Sequence, residues 1–181
     1  MIKKVWVTFA MVLISAVSFA QTEDSKTKQL EDAAWARAGC GSDSIRYNVK
    51  MDKHRHTLAE PESGKALVYV FEDDLTRRFV PTTRVGVDGK WISGNLPLSY
   101  IFFPISPGVH RLCSNWQGTP QVGAALDFNA EAGKTYFFRA KILSFGSEAF
   151  TLDPVAEAEG HFLIASHGLS ASTEKPRYED N

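Results

Sequence analysis

Residues 82–116 form the stretch that most constrains how this chain can fold. Thr83, Val85 and Val87 alternate with other residues at a two-residue period, which is typical of a half-buried β-strand. Asp88-Gly89 follows directly and favours a type I′ turn, because both of its central residues tolerate positive φ. The stretch therefore predicts a β-hairpin that leads into further strands.

The rest of the chain carries similar signals. Residues 66–71 and 99–103 are apolar on both faces and predict strands inside a sheet, whereas residues 134–142 alternate and predict one inward face. The predicted strands lie at residues 45–51, 66–71, 82–88, 90–92, 99–103, 108–116, 124–129, 134–142 and 150–152. Many short strands separated by Gly and Pro turns predict an all-β fold, a single antiparallel β-sandwich of immunoglobulin-like or transthyretin-like type.

One short C-terminal helix is expected after Asp153-Pro154, because proline is tolerated in the first turn of a helix. The apolar residues Val155, Ala158, Phe162 and Ala165 recur there at helical spacing, which favours the same helix. Gly160 weakens this helix signal.

The N-terminal residues 1–20 predict a secretory signal peptide. Lys3 and Lys4 precede an uncharged apolar run, and Ser18-Phe19-Ala20 provides small residues where a signal peptidase cleaves. The run is shorter than the roughly 20 residues that span a bilayer, which favours cleavage after Ala20 over a retained membrane anchor. We therefore expect no transmembrane segment after cleavage, and a periplasmic or extracellular location.

The remaining chain divides by composition. A polar leader is expected over residues 21–39, a folded domain over residues 40–168 and a disordered tail over residues 169–181. With 20 basic and 21 acidic residues, the chain lacks the positive charge that nucleic-acid binding requires. The expected partner is an unknown protein or another envelope component.

Cys40 and Cys113 are the only two cysteines of the chain. In an exported protein they most simply form one disulfide, and the alternatives are two buried thiols or a metal site. A disulfide would close a loop of roughly 70 residues, which the chain-entropy model equates with on the order of 4 kcal/mol of stabilisation.

Four segments, in order, carry a family resemblance: GKALVYVFEDD, TTRVGVDGKWISG, SPGVHRL and EAGKTYFFRAKI. Together they make the chain resemble a bacterial family classified as domain of unknown function 2846, over about residues 64–166. The resemblance implies a secreted protein or lipoprotein with a β-sandwich and no assigned activity, so no catalytic residue is transferred. This chain lacks a lipid-acceptor cysteine at the predicted cleavage point.

Two sets of residues are candidates for ligand binding. His54, His56 and His110, with Cys40, have the side chains that zinc or copper prefers, although their spacing is unlike that of a structural zinc site. Trp91, Tyr100 and Trp116 flank turns, where rings can stack on sugar or peptide. Solvated loops for the histidines and core packing for the rings are the simpler interpretations.

No residue pattern indicates catalysis. The chain has no Gly-x-Ser-x-Gly elbow, and Cys40 has no context that marks an activated thiol. We predict no enzymatic activity and no cofactor. The favoured hypothesis is an exported binding or envelope-associated module that contacts its partner through edge strands or through residues 52–65. Metal binding, and carbohydrate or peptide binding through exposed aromatic residues, are the alternatives.

Overall fold

The computed structural model describes residues 40–42, 44–73, 82–117, 119–143 and 149–175. These residues form ten strands and one helix, α1 (Glu157–Ser166), which lies between the last two strands. The strands are β1 (Tyr47–Asp52), β2 (Ala66–Glu72), β3 (Thr83–Val87), β4 (Lys90–Asn95), β5 (Ser99–Ile105), β6 (Gly108–Trp116), β7 (Thr119–Ala130), β8 (Thr135–Leu143), β9 (Ala149–Pro154) and β10 (Gly168–Glu174).

The strands form two sheets whose inner faces share the main core. The larger sheet has the order β1-β10-β5-β2-β8-β9, and the smaller has the order β4-β3-β6-β7. Val70 and Phe138 from the larger sheet pack in one cluster with Val85 and Leu112 from the smaller one. The prediction of an all-β domain with one short helix is confirmed at this level.

The prediction of purely antiparallel pairing is wrong. β2 pairs with β8 in parallel, and so does β10 with β5. Parallel neighbours need a crossover connection. The smaller sheet lies between β2 and β8 in the chain, and α1 lies between β9 and β10, so both parallel pairs have such a connection.

The larger sheet is also covered on its outer face. Tyr69 and Phe71 of β2 and Phe137 of β8 pack there against Leu163 and Ile164 of α1. The prediction that β8 buries only one face is therefore wrong. A strand covered on both faces loses the polar alternation by which sequence patterns identify its inward side.

The predicted C-terminal helix is present as α1, but the residues at helical spacing that lie within it, Ala158, Phe162 and Ala165, are exposed. Phe162 is 67% exposed, and the buried residues of α1 are Gly160, Leu163 and Ile164. A Cβ atom on Gly160 would lie 2.5 Å from Cγ of Phe137, so glycine allows the helix to approach the sheet. Gly160, which weakened the helix signal in the sequence, is thus the residue that lets α1 pack closely against β8.

The predicted disordered tail, residues 169–181, is wrong over its first part. β10 covers Gly168–Glu174 and pairs with β1 from Leu169 to Glu174. Its small hydroxyl side chains find partners inside the fold, since Ser170 Oγ lies 2.6 Å from Ser99 Oγ and Ser172 Oγ lies 2.8 Å from Ser93 Oγ. Residues 176–181, and residues 1–39 with the predicted signal peptide and polar leader, lie outside the described residues.

The predicted turn at Asp88-Gly89 is confirmed. Both residues have positive φ, 49° and 82°, and they join β3 to β4. In the part of the chain described by the structure, there is no helix long and apolar enough to cross a membrane.

Candidate functional site

The predicted disulfide between Cys40 and Cys113 is present, with their Cα atoms 5.5 Å apart. Both cysteines are buried on the outer face of the smaller sheet, in a cluster with Tyr47 and Trp91. The alternatives of free thiols or a cysteine metal site are thereby excluded. The bridge attaches the segment that precedes β1 to the middle of β6.

A buried cation supports the same segment. Arg84 is 1% exposed, and its guanidinium lies 4.3 Å from the centroid of the Trp91 ring. It donates hydrogen bonds to Oδ1 of Asn115 at 2.9 Å and to the carbonyl oxygen of Ile45 at 2.7 Å. The indole Nε1 of Trp91 donates to the carbonyl oxygen of Ser42 at 3.0 Å. These contacts serve the architecture of the domain.

The three aromatic candidates do not form a binding surface. Trp91 is 8% exposed, Trp116 3% and Tyr100 is fully buried. Each ring belongs to a different cluster: Trp116 to the core between the sheets, Tyr100 to the face below α1, and Trp91 to the cluster around the disulfide. Core packing, the simpler interpretation of the sequence, accounts for all three rings, and their burial contradicts the alternative that they stack on a ligand.

The three histidine candidates are also separate. His56 donates through Nδ1 to the carbonyl oxygens of Ile164 and His167, at 2.9 and 3.1 Å, and so holds residues 53–65 against the end of α1. His54 is exposed in the same loop. His110 lies on β6. Among the described residues, no three His, Cys, Asp or Glu side chains come together in a way that could hold a metal ion.

Residues 53–65 are further attached to the sheet by two buried hydroxyl groups. The backbone N–H of Thr57 donates to the hydroxyl oxygen of Tyr100, and that of Ala59 donates to Tyr69, both at 2.7 Å. Burial raises the pKa of both tyrosines above its ordinary value. The loop predicted as a contact surface is therefore held in place on its inner side, although Leu58 remains 58% exposed.

A charged depression of about 400 Å³ surrounds His110. The ring donates through Nε2 to the carbonyl oxygen of Ser106 and lies, through Nδ1, against Oδ2 of Asp88, both at 2.7 Å. Desolvation alone would raise the pKa of Asp88, but the hydrogen bonds from His110 and from the backbone of Arg111 outweigh it and lower that pKa. Arg111 also forms a bidentate pair with Asp127. The charges in this depression thus partner one another.

Sequence reasoning missed a serine, histidine and aspartate array at the end of α1. Nε2 of His167 lies 3.2 Å from Oδ1 of Asp73, and Nδ1 lies 3.0 Å from Oγ of Ser166. Burial lowers the pKa of His167, although the charge of Asp73 acts in the opposite direction. The neutral ring can thus accept from Ser166, the polarity found in serine hydrolases.

The surroundings of this array nevertheless oppose acyl transfer. The hydroxyl of Ser166 lies within 3.3 Å of the carbonyl oxygens of Phe162 and Leu163, which compete for its single hydrogen. The carboxyl end of a helix also carries partial negative charge, whereas an oxyanion requires hydrogen-bond donors. The array is better suited to holding α1 against the sheet.

The strongest candidate for a contact site is a groove of about 380 Å³ among β4, β5 and β10, named here the β5–β10 groove. Ile92 of β4, Phe102 of β5 and Leu169 of β10 contribute apolar surface to it, and Ile92 is 39% exposed. The remaining lining residues are apolar or carry a hydroxyl group, and they are Ser93, Ile101, Phe103, Ser170, Ala171 and Ser172. No sequence pattern had indicated this site.

Comparisons with protein-family models, with curated proteins and with solved structures found no match. The resemblance to the domain of unknown function 2846 family therefore stays a prediction.

Proposed function

We propose that this protein is an exported, non-enzymatic binding module that contacts a protein or another envelope component through the β5–β10 groove. The observation that carries the proposal is the groove itself, because it exposes apolar side chains of three strands that meet at one place. Apolar surface gathered in a concave site is a common feature of binding sites. The charged depression around His110 is a weaker candidate for partner binding, since its charges are already paired with one another.

The compartment belongs to the same proposal. A disulfide between Cys40 and Cys113 is typical of oxidising compartments, which supports a location outside the cytoplasm. We propose further that residues 1–20 are removed and that the mature protein resides in the periplasm or outside the cell. The sandwich type, immunoglobulin-like or transthyretin-like, likewise remains an expectation.

Site-specific photo-crosslinking tests the proposed surface. Two variants each carry one benzophenone amino acid. In the first it replaces Ile92 in the groove, and in the control it replaces Val109, which is 75% exposed and lies outside the groove. After irradiation in the native envelope, we expect a discrete crosslinked product from position 92 and none from position 109. Equal crosslinking at both positions, or none at either, would contradict the proposed surface.

A second substitution tests whether the crosslink forms in the groove. Ala171 lines the groove and is exposed, so Ala171→Trp fills the site without removing a core side chain. We expect this substitution to abolish the product formed from position 92. A product that persists in the filled groove would show that the crosslink reports chance proximity.

A further inference from the structure

The groove exists because two parallel strands pair briefly and then separate. β10 pairs with β5 at only two positions, Gly168 with Ser99 and Leu169 with Tyr100. Beyond Leu169, β10 continues beside β1, and the hydroxyl of Ser172 accepts a hydrogen bond from the backbone N–H of Gly94 on β4. β5 meanwhile continues along β2 as far as Ile105.

This separation leaves one side of β5 without a neighbouring strand. Between Ile101 and Ile105, the strand pairings of the described residues place β2 beside β5 on one side and no strand on the other. Pro104 lies in this part of β5, and proline within a sheet is confined to edges, bulges and strand starts. The second half of β5 is thus an edge, although its first half lies inside the sheet.

The groove beside this edge is uncharged. All of its lining residues are apolar or carry only a hydroxyl group, in contrast to the depression that holds Asp88, Arg111 and Asp127. A charged side chain would lose its hydration there without gaining an opposite charge. An uncharged ligand is therefore the electrostatic complement of the groove.

We propose that the β5–β10 groove binds a neutral, extended peptide segment, which adds to β5 between Ile101 and Ile105 as a further strand. This inference rests on the proposed function and names the class of partner. Backbone hydrogen bonds to the open edge would supply affinity, and the apolar side chains at alternate positions would supply specificity. Pro104 donates no hydrogen bond, so the added ladder is interrupted there.

Two other occupants fit less well. The edge of β5 is recessed between β4 and β10, so the equally recessed edge of a second copy cannot reach it. An acyl chain would cover the open backbone groups of β5 without offering hydrogen bonds, which carries a desolvation cost. A single extended peptide segment satisfies both the shape and the backbone of the groove.

The test uses the complete oxidised chain and a phage-displayed library of random heptapeptides. We expect the selected peptides to be neutral, with apolar residues at alternate positions. The most enriched sequence is then synthesised and added to isotopically labelled protein for amide hydrogen exchange by NMR. The amides of Ile101, Phe103 and Ile105 already face β2, and Pro104 has no N–H, so the amide of Phe102 is the one that faces the open side. Exchange at the Phe102 amide should slow at least tenfold when the peptide is bound.

Two tryptophan variants provide the matched comparison. Ala171→Trp should weaken peptide binding at least tenfold because the new ring occupies the groove. Val109→Trp adds the same ring at a strand position outside the groove and should change the affinity less than twofold. Equal affinity of both variants for the peptide would overturn the proposal.

Three further results would also overturn it: no enriched peptide, enriched peptides that carry net charge, or a bound peptide that leaves the Phe102 amide unprotected. Sodium decanoate serves as the acyl-chain probe. If decanoate binds the unmodified protein and Ala171→Trp abolishes this binding, the groove is assigned to lipid instead. If the crosslink at position 92 forms but no selected peptide binds the groove, the proposed contact surface stands and only the proposal of a peptide occupant is wrong.

Discussion

Loss of the Cys40–Cys113 bridge should lower the free energy of unfolding by about 4 kcal/mol. The two cysteines are 73 positions apart, and the chain-entropy model gives about 4 kcal/mol at 25 °C for a loop of that length. Since folded domains are typically stable by about 5–15 kcal/mol, the bridge represents a large share of the total. The predicted loss acts mainly through the unfolded chain, which becomes free to expand.

Reduction, rather than mutation, is the cleanest perturbation because it leaves every side chain in place. Cys113 is fully buried and Cys40 is 2% exposed, so the protein has to be reduced while unfolded and then refolded in reductant. Urea unfolding followed by circular dichroism compares the oxidised and reduced forms. The dependence on urea should also steepen on reduction, because the reduced unfolded chain exposes more surface.

The double variant Cys40→Ser/Cys113→Ser provides the control, since it removes the bridge without reductant. It should approach the stability of the reduced protein, apart from the cost of placing two hydroxyl groups in the cluster with Tyr47 and Trp91. A difference below about 1 kcal/mol between oxidised and reduced protein would refute the loop-entropy argument.

Three further substitutions test the packing and the titrating groups. Gly160→Ala should destabilise the protein by about 1–3 kcal/mol in urea unfolding, because the added Cβ overlaps Phe137; an unchanged or raised stability would contradict this. The folded-state pKa of His167 is lowered, so stability should fall as pH drops below about 6.5 and His167→Gln should flatten that dependence. The pKa of Asp88 is also lowered, so its contribution is present above about pH 4 and lost in more acid solution, and Asp88→Asn should remove that acid-side slope in the same assay.

Local signals in the sequence predicted the local structure well. Asp88-Gly89 specifies its turn through the backbone preferences of two adjacent residues, and these do not depend on the rest of the chain. The alternation in β6 correctly separates Leu112, which faces the main core, from Cys113, which faces the disulfide cluster. The pairing of Cys40 with Cys113 followed from their being the only two cysteines.

The predictions that failed depend on contacts between distant parts of the chain. Tyr100 looked available for a ligand because nothing near it in sequence shows that α1 and residues 53–65 cover that face of the sheet. The polar composition of residues 169–174 resembled a disordered tail, yet pairing with β1 makes them a strand. The groove arises from the separation of β5 and β10, and this separation depends on which strands pair, which no pattern within either segment shows.

The two end strands of the larger sheet, β1 and β9, have features that oppose strand addition, which supports β5 as the proposed site. At β1, the amide of Gln117 occupies the backbone of Tyr47, accepting from its N–H at 2.6 Å and donating to its carbonyl oxygen at 3.1 Å. β9 ends at Pro154 and lies beside β7 of the other sheet. Both are recognised ways to prevent unwanted strand addition. The open edge of β5, in contrast, is protected only because it lies recessed between β4 and β10. A folded sheet cannot enter this space, but a single extended chain can.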